Sequence, residues 1–327
     1  MTREIKFGLF LPTGDFAKAK QAALDAEARG FYSVSINDHF FTPLGQPQTP
    51  QLECFTTLTA IAAVTSKVRL APSVAAVSFR SPPMLAKIAT TLDHVSNGRL
   101  ILGLGAGWKR DEYEAHGYPY GTNPERLAQL AEAIKVVKAM WTQDAPTHHG
   151  RYFNIDKAYN NPRPVQHPYP PFMIGGSGSG LLRIAAVEAN IINIIPPIFN
   201  GQDFVNDPAA AVKFDKPELK RRIAMLHRYA REAGRDPGEI EISGLVIVSM
   251  SRNPADPAMQ ATAASVGFTD QTVARNSPVM LMGTPEQVKN ELQARIKETG
   301  MTYFIVLPVS EESHELFTKE VMPAFAH

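Results

Sequence analysis

The strongest constraint on this chain is an alternation. Short, continuous apolar runs recur from end to end, and each is followed by a segment whose apolar residues return with helical period. Strands are expected at residues 5–11, 33–36, 69–75, 99–103, 172–175, 191–194, 241–249 and 303–307. Most of these runs are apolar throughout, the pattern of parallel strands covered on both faces. Between them, Leu127, Leu130, Ala131, Ile134, Val137 and Trp141 fall on one helical face, as do Leu85, Ile88, Ala89, Leu92 and Val95 one unit earlier. Thr284-Pro285-Glu286-Gln287 reads as a capping box with proline at the first helical position, and Gly300 suits the far end of that helix. Eight strand–helix units in 327 residues predict an α/β chain, a (β/α)8 TIM barrel with insertions. A doubly wound sheet is the alternative. The surplus length falls at residues 144–171 and 252–278. No repeat, low-complexity tract or linker divides the chain, so a single domain over residues 1–327 is expected.

Composition narrows the function. A chain of this length buries roughly three quarters of its unfolded surface and needs no staple. Its one cysteine, Cys54, excludes a disulfide framework and makes the reducing cytoplasm the expected compartment. Thirty-three basic against 32 acidic residues give a net charge of +1, which argues against nucleic-acid and anionic-membrane partners. The richest apolar stretch, residues 191–199, is broken by Pro196 and Pro197, well short of a membrane-spanning run of about 18 residues. Met1-Thr-Arg-Glu-Ile-Lys enters a strand-like segment with no signal-peptide core. A soluble protein acting on a small molecule is expected.

In a barrel, chemistry belongs where strands end and βα loops begin. Asn37-Asp38-His39-Phe40-Phe41 follows the second strand, and Asp38 with His39 could be an acid/base pair or donors to a polar ring edge. A loop cap beside a hydrogen-bonded histidine is the plain alternative. Gly103-Leu-Gly105-Ala-Gly107-Trp108 follows the fourth strand. It fails the dinucleotide fingerprint, because Trp108 stands where the third glycine is needed. It could still let a flat ring lie against backbone. Gly175-Gly176-Ser177-Gly178-Ser179-Gly180 follows the fifth strand and runs directly into helical Leu181-Leu-Arg-Ile. Small residues entering a helix present free N–H groups and the positive dipole end, so a phosphate site is the better reading than a flexible turn. Metal chemistry finds little support: His148 and His149 are loop neighbours that would point apart, and no metal-ligand spacing occurs. The nucleophile motif of a triad hydrolase is missing as well.

Several long motifs now stand in order. They are Arg99-Leu-Ile-Leu-Gly-Leu-Gly-Ala-Gly-Trp108 with Glu112-Tyr-Glu-Ala-His-Gly117, then Pro162-Arg-Pro-Val-Gln-His-Pro-Tyr-Pro-Pro171 running into Phe172-Met-Ile-Gly-Gly176. Gly283-Thr-Pro-Glu-Gln-Val288, Phe79-Arg80-Ser81-Pro82 and the helix end Leu92-Asp-His-Val-Ser-Asn-Gly-Arg99 complete the set. Together they resemble the bacterial-luciferase-like superfamily of flavin and deazaflavin oxidoreductases, from Ile5 to about Val306, most of all its branch that uses coenzyme F420.

The resemblance implies hydride transfer between coenzyme F420 and a small organic substrate. An FMN-dependent monooxygenase using reduced FMN and dioxygen is the alternative, and a catalytically silent flavin-binding homologue is the second. It implies that Asp38 and His39 face ring and substrate, with His39 as acid/base. Ser73, Val74, Ala75 and Ala76 would back the ring, with a cis peptide between Ser73 and Val74. Gly105, Gly107 and Trp108 would line another side, and Gly175, Gly176, Ser177, Gly178 and Ser179 would hold the phosphate. Members are often dimers, so a homodimer is expected. Where sugar-phosphate dehydrogenases of the superfamily carry a glutamate after the strand-four glycines, this chain has Trp108, which disfavours that substrate. The apolar segment from Ile194 to Pro197 would make the pocket greasier.

Overall fold

Continuous apolar runs become parallel strands, as their two-sided burial requires. The computed structural model describes residues 4–43, 46–197, 213–265, 268 and 270–325. Its packing divides into two compact units, Met1–Phe10 with Gly176–Ala186 and Ile191–His327, and Leu11–Gly175 with Val187–Asn190.

In the first unit, β10 (Glu241–Met250) is the longest strand and organises the rest. Along one edge it pairs with β12 (Met301–Pro308), which in turn pairs with β1 (Lys6–Phe10). Its other edge is shared. The N-terminal half pairs with β9 (Ile191–Asn193) and the C-terminal half with β11 (Met280–Gly283). All four pairings are parallel. The strand β11 is absent from the strands that the apolar runs predict, since it lies between the surplus residues 252–278 and the helix cap at Thr284. Within that surplus, α8 (Pro257–Ser265) and α9 (Gln271–Asn276) bury Met259, Ala263, Phe268 and Ala274 against Ile247 and Met280. The helices α6 (Ser179–Glu188), α7 (Lys216–Glu232), α10 (Pro285–Thr299) and α11 (Glu311–Leu316) complete the described α-helices here. The capping box at Thr284 and Gln287 forms as read, and Gly300 ends α10 at φ 69°, a left-handed turn that glycine takes without strain.

In the second unit, β2 (Ser33–Ile36) pairs in parallel with β3 (Arg69–Pro72), and β5 (Leu102–Gly105) lies between β4 (Ala75–Ala76) and β8 (Phe172–Gly175). The run read as one strand over 69–75 is interrupted at Ser73 and Val74, whose peptide bond is cis, as the resemblance implies. The helices are α1 (Phe16–Ala28), α2 (Cys54–Ala62), α3 (Pro82–Val95), α4 (Arg110–Ala115) and α5 (Asn123–Thr142). Buried Trp141 on α5 donates to Thr90 Oγ1 of α3 at 3.1 Å, so the predicted apolar faces of these two helices meet.

Long motifs in this unit fasten the chain to itself. Arg99 donates to the carbonyls of Ala62, Thr65, Val68 and Ser96. Gln166, in the proline-rich stretch, donates to Asp93 Oδ1 at 2.7 Å and to Leu100 O at 2.8 Å, and accepts from Arg69. The same stretch holds an antiparallel hairpin of β6 (His148–His149) and β7 (Asn154–Ile155), where a loop was expected.

Candidate active site

Strand β2 ends at Ile36 and delivers the next four residues into a cluster of long-range partners. Asp38 is buried, 4% exposed. A buried carboxylate is tolerated only with donors around it, and here they are the Arg80 guanidinium, at 2.7 and 2.9 Å, and the Ala76 N–H at 3.2 Å. Arg80 also donates to Glu53 Oε1 at 2.5 Å and lies 4.8 Å from the Phe55 ring centre. Burial works against the Arg80 charge, but the hydrogen bonds and charges of Asp38 and Glu53 outweigh it and raise its pKa above the usual arginine value.

His39 turns to a different carboxylate. Its Nδ1 stands 2.7 Å from Glu112 Oε2. Because a carboxylate accepts, Nδ1 carries the hydrogen and Nε2 is left to do chemistry. Glu112 lies on α4 and is fully buried. Its other oxygen accepts from the N–H of Phe40 and, at 3.2 Å, of Phe41. One side chain thus fixes the histidine ring and the backbone that follows it. The Trp108 ring meets His39 edge-on, centroids 5.5 Å apart. The structure therefore brings together Asp38 with Ala76 and His39 with Trp108. The carboxylate paired with His39 is Glu112, though, and Asp38 is committed to Arg80. Glu112 and Arg80 stand inside the motifs that carry the resemblance, but the sequence alone assigns neither a role.

The glycines have packing duties of their own. A Cβ on Gly105 would stand 2.8 Å from Val74 Cγ2, and one on Gly175 would stand 2.7 Å from the same atom. Their bareness accommodates the bulge at Ser73 and Val74. Gly107, at φ 78°, faces the Tyr113 hydroxyl, which shares a hydrogen bond with Ser78. Burial pushes the Tyr113 phenol up to about 12, against the opposing hydrogen bond from Ser78. A cleft with about 110 Å³ of free space is lined by Asp38, His39, Phe40, Gln51, Glu53, Phe79 and Arg80.

The loop before α6 belongs to the other unit. Gly176 takes φ 133° and donates to Asn193 O at 2.9 Å. Ser177 is 2% exposed, and its Oγ is buried with no hydrogen-bond partner among the described residues. Its carbonyl accepts from Arg222 on α7 at 2.9 Å. Gly178 and Ser179 are exposed, and a Cβ on Gly178 would meet open space. An orphaned hydroxyl at the start of a ten-residue helix, whose first N–H groups have no partner within it, suits an anionic phosphate.

Comparison with known proteins fits these features. A curated F420-dependent glucose-6-phosphate dehydrogenase from Kineococcus radiotolerans is 34% identical over 55% of this chain and 53% of its own. A pyrimidine monooxygenase from a Bradyrhizobium species is 28% identical over 86% of this chain and 82% of its own. Among the first curated relatives, the match spans between 53% and 66% of their own length. A solved F420-dependent secondary alcohol dehydrogenase in complex with an F420-acetone adduct superposes with a TM-score of 0.82 at 23% identity, covering 99% of this chain and 100% of that one. That likeness shows the fold, the luciferase-like (β/α)8 class that the strand–helix alternation predicts. No described helix is long and apolar enough to cross a membrane. The family model described as luciferase-like monooxygenase matches residues 5–201, so this chain belongs to the luciferase-like family of flavin and deazaflavin enzymes.

Proposed function

We propose that the chain is an oxidoreductase that moves hydride between coenzyme F420 and a small organic substrate. The observation that carries this reading is the pairing of half-buried His39 with buried Glu112, a proton-holding couple beside an aromatic wall. When bound, the coenzyme supplies or accepts the hydride. Hydride transfer leaves one proton to be delivered to, or taken from, the substrate. His39 Nε2 handles that proton, while Glu112 holds Nδ1–H, orients the ring and stabilises its charged form. Glu112 is a positioning residue, and so is Asp38, which fixes Arg80 and the backbone of Ala76. Gly176, Ser177, Gly178 and Ser179 hold a phosphate through N–H groups and the Ser177 hydroxyl. The alternative is monooxygenation with reduced FMN and dioxygen, favoured by the match to the pyrimidine monooxygenase over most of the chain.

Fluorescence titration with coenzyme F420 and with FMN tests both readings. Tight binding of coenzyme F420 is the expected result. Preference for FMN with oxygen consumption would transfer the proposal to the monooxygenase, and binding of neither would refute both. Gly178→Asp places a charge in open space at the proposed phosphate, and should weaken the favoured coenzyme by about tenfold or more, a loss of about 1.4 kcal/mol. Unchanged affinity would put the phosphate elsewhere.

A further inference from the structure

We infer that Tyr120 and Arg126 are positioning residues that hold the Trp108 ring against His39, so that aromatic wall and proton group keep one mutual geometry. Their catalytic use rests on the oxidoreductase reading; the clamp itself does not. All four residues lie in the second unit. Glu112 secures one side of the contact by holding the His39 ring. The other side is a half-buried tryptophan directly after Gly107, which takes a left-handed φ of 78°. Neither Gly107 nor Trp108 belongs to a helix or strand, so no backbone ladder supplies the constraint. A glycine has no side chain to limit its own conformation, and the direction of the next residue must be set from outside.

It is set at both neighbouring peptides. The planes that flank a Cα define its φ and ψ, and with them the direction of its Cβ. On the N-terminal side of Trp108, Arg126 Nε donates to Gly107 O at 3.1 Å. On the C-terminal side, the Tyr120 hydroxyl donates to Trp108 O at 2.6 Å. The two donors are themselves joined. The Arg126 guanidinium lies 4.0 Å from the Tyr120 ring centre and also donates from Nη1 to Gly121 O at 3.0 Å. Tyr113 meets the Tyr120 ring edge-on at 5.2 Å. Trp108 is thus aimed by side chains that do not touch His39, and its ring ends 5.5 Å from the imidazole. A misplacement of about 1 Å in a reacting site can cost ~10²-fold in rate, which gives such a clamp its value.

The test needs neither coenzyme nor substrate. The chain carries two tryptophans, Trp108 and Trp141, so fluorotryptophan labelling of the full chain gives two fluorine NMR signals, assigned with Trp108→Phe. Trp141 is buried on the same helix as Arg126 and reports the fold. In the wild type the Trp108 signal should move between about pH 5 and 8 as His39 gains or loses its proton. His39→Asn should abolish that movement, which separates it from the charges of Lys109, Asp111 and Glu112 nearby. Tyr120→Phe keeps the ring against Arg126 and Tyr113 and removes only the donor. Loss of one ordinary hydrogen bond shifts a local equilibrium by about fivefold, so the His39-linked movement should fall by about half or more. The Trp141 signal should stay in place. Arg126→Lys, which keeps the charge but not the planar fork, should act the same way. No His39-linked movement in the wild type overturns the inference, as does movement undiminished in Tyr120→Phe or a loss matched by displacement of Trp141. Should Tyr120→Phe fail to fold, undiminished movement in Arg126→Lys overturns it instead. A response that depends on Tyr120 in a chain that binds neither coenzyme F420 nor FMN keeps the clamp and refutes the oxidoreductase reading. Coenzyme binding with an undiminished response does the reverse.

Discussion

The segment after β2 and the loop before α6 both follow a strand end, but they are built on opposite principles. After β2, the polar groups of Asp38 and Glu112 are spent on partners within the fold: Arg80 and the Ala76 N–H for one, His39 and two backbone N–H groups for the other. In the loop before α6, the Ser177 hydroxyl is buried without a described partner, and Gly178 and Ser179 at the helix start are exposed. The first region is wired before any ligand arrives, as suits groups that must hold a ring at fixed geometry. The second keeps unmet hydrogen-bonding capacity, as suits a place where a ligand brings its own charge. Mutations should therefore cost stability in the first and affinity in the second.

Arg80→Met is the severest way to break that contrast. It removes the cation between a buried Asp38 and Glu53 while keeping much of the aliphatic stem. Breaking one side of a buried pair costs about 3–5 kcal/mol, because the remaining charge stays in place without compensation. Urea denaturation should show a lower midpoint at unchanged slope. Gly178→Asp, in open space, should stay within about 0.5 kcal/mol of the wild type. Equal losses in the two variants would erase the distinction between a wired region and an open one.

How far the sequence reveals this contrast depends on range. Strands 33–36 and 172–175 were read at their observed bounds, because continuous apolar runs announce doubly buried strands locally. The capping box at Thr284 and the glycine at 300 are local signals too, and they hold. The strand Met280–Gly283 was passed over because four residues of apolar sequence abut a strong helix cap and carry no period of their own. Glu112 was missed as a site residue for a different reason. Its partner His39 lies 73 positions away, and Arg80 lies 42 from Asp38. Such pairs are chosen by packing, which leaves no trace in periodicity. The available signal was a charged residue, Glu112, beside apolar Tyr113 in a motif that was already quoted. The glycines carry a signal of another kind: Gly105 reads as part of a ring wall and Gly175 as part of a phosphate loop, and their missing side chains also make room for Val74, a packing duty with no local pattern.

His39→Asn sharpens the comparison within the wired region. Asparagine preserves a donor toward Glu112 but has no ring nitrogen to take up and release a proton. Turnover should fall by ~10²-fold or more, the usual worth of general acid–base catalysis. Affinity for the favoured coenzyme, read by the same fluorescence titration, should be nearly unchanged. Loss of coenzyme binding without a separate loss of turnover would make His39 an anchor and remove it from the proton path.

The smallest expected effect concerns Glu53, which sits at the margin of the wired region with its side chain 47% exposed. It caps α2, accepting from Phe55 N at 3.2 Å and Thr56 N at 2.6 Å, and it also pairs with Arg80. Burial raises its pKa, but the Thr56 hydrogen bonds and the Arg80 charge overcome that and hold it below the ordinary glutamate value. A carboxylate depressed in the folded state binds its proton more readily when unfolded. Its contribution is therefore complete above the unfolded pKa of about 4.3 and fades as pH falls through the lower folded value. Glu53→Gln keeps the size and one acceptor but cannot titrate. Its stability should differ from wild type by less than about 1 kcal/mol at neutral pH, since solvent screens so exposed a pair. The difference should shrink as denaturation is repeated toward acid. A difference that grows on acidification would reverse the sign and show that burial, not Arg80 and the cap, governs this carboxylate.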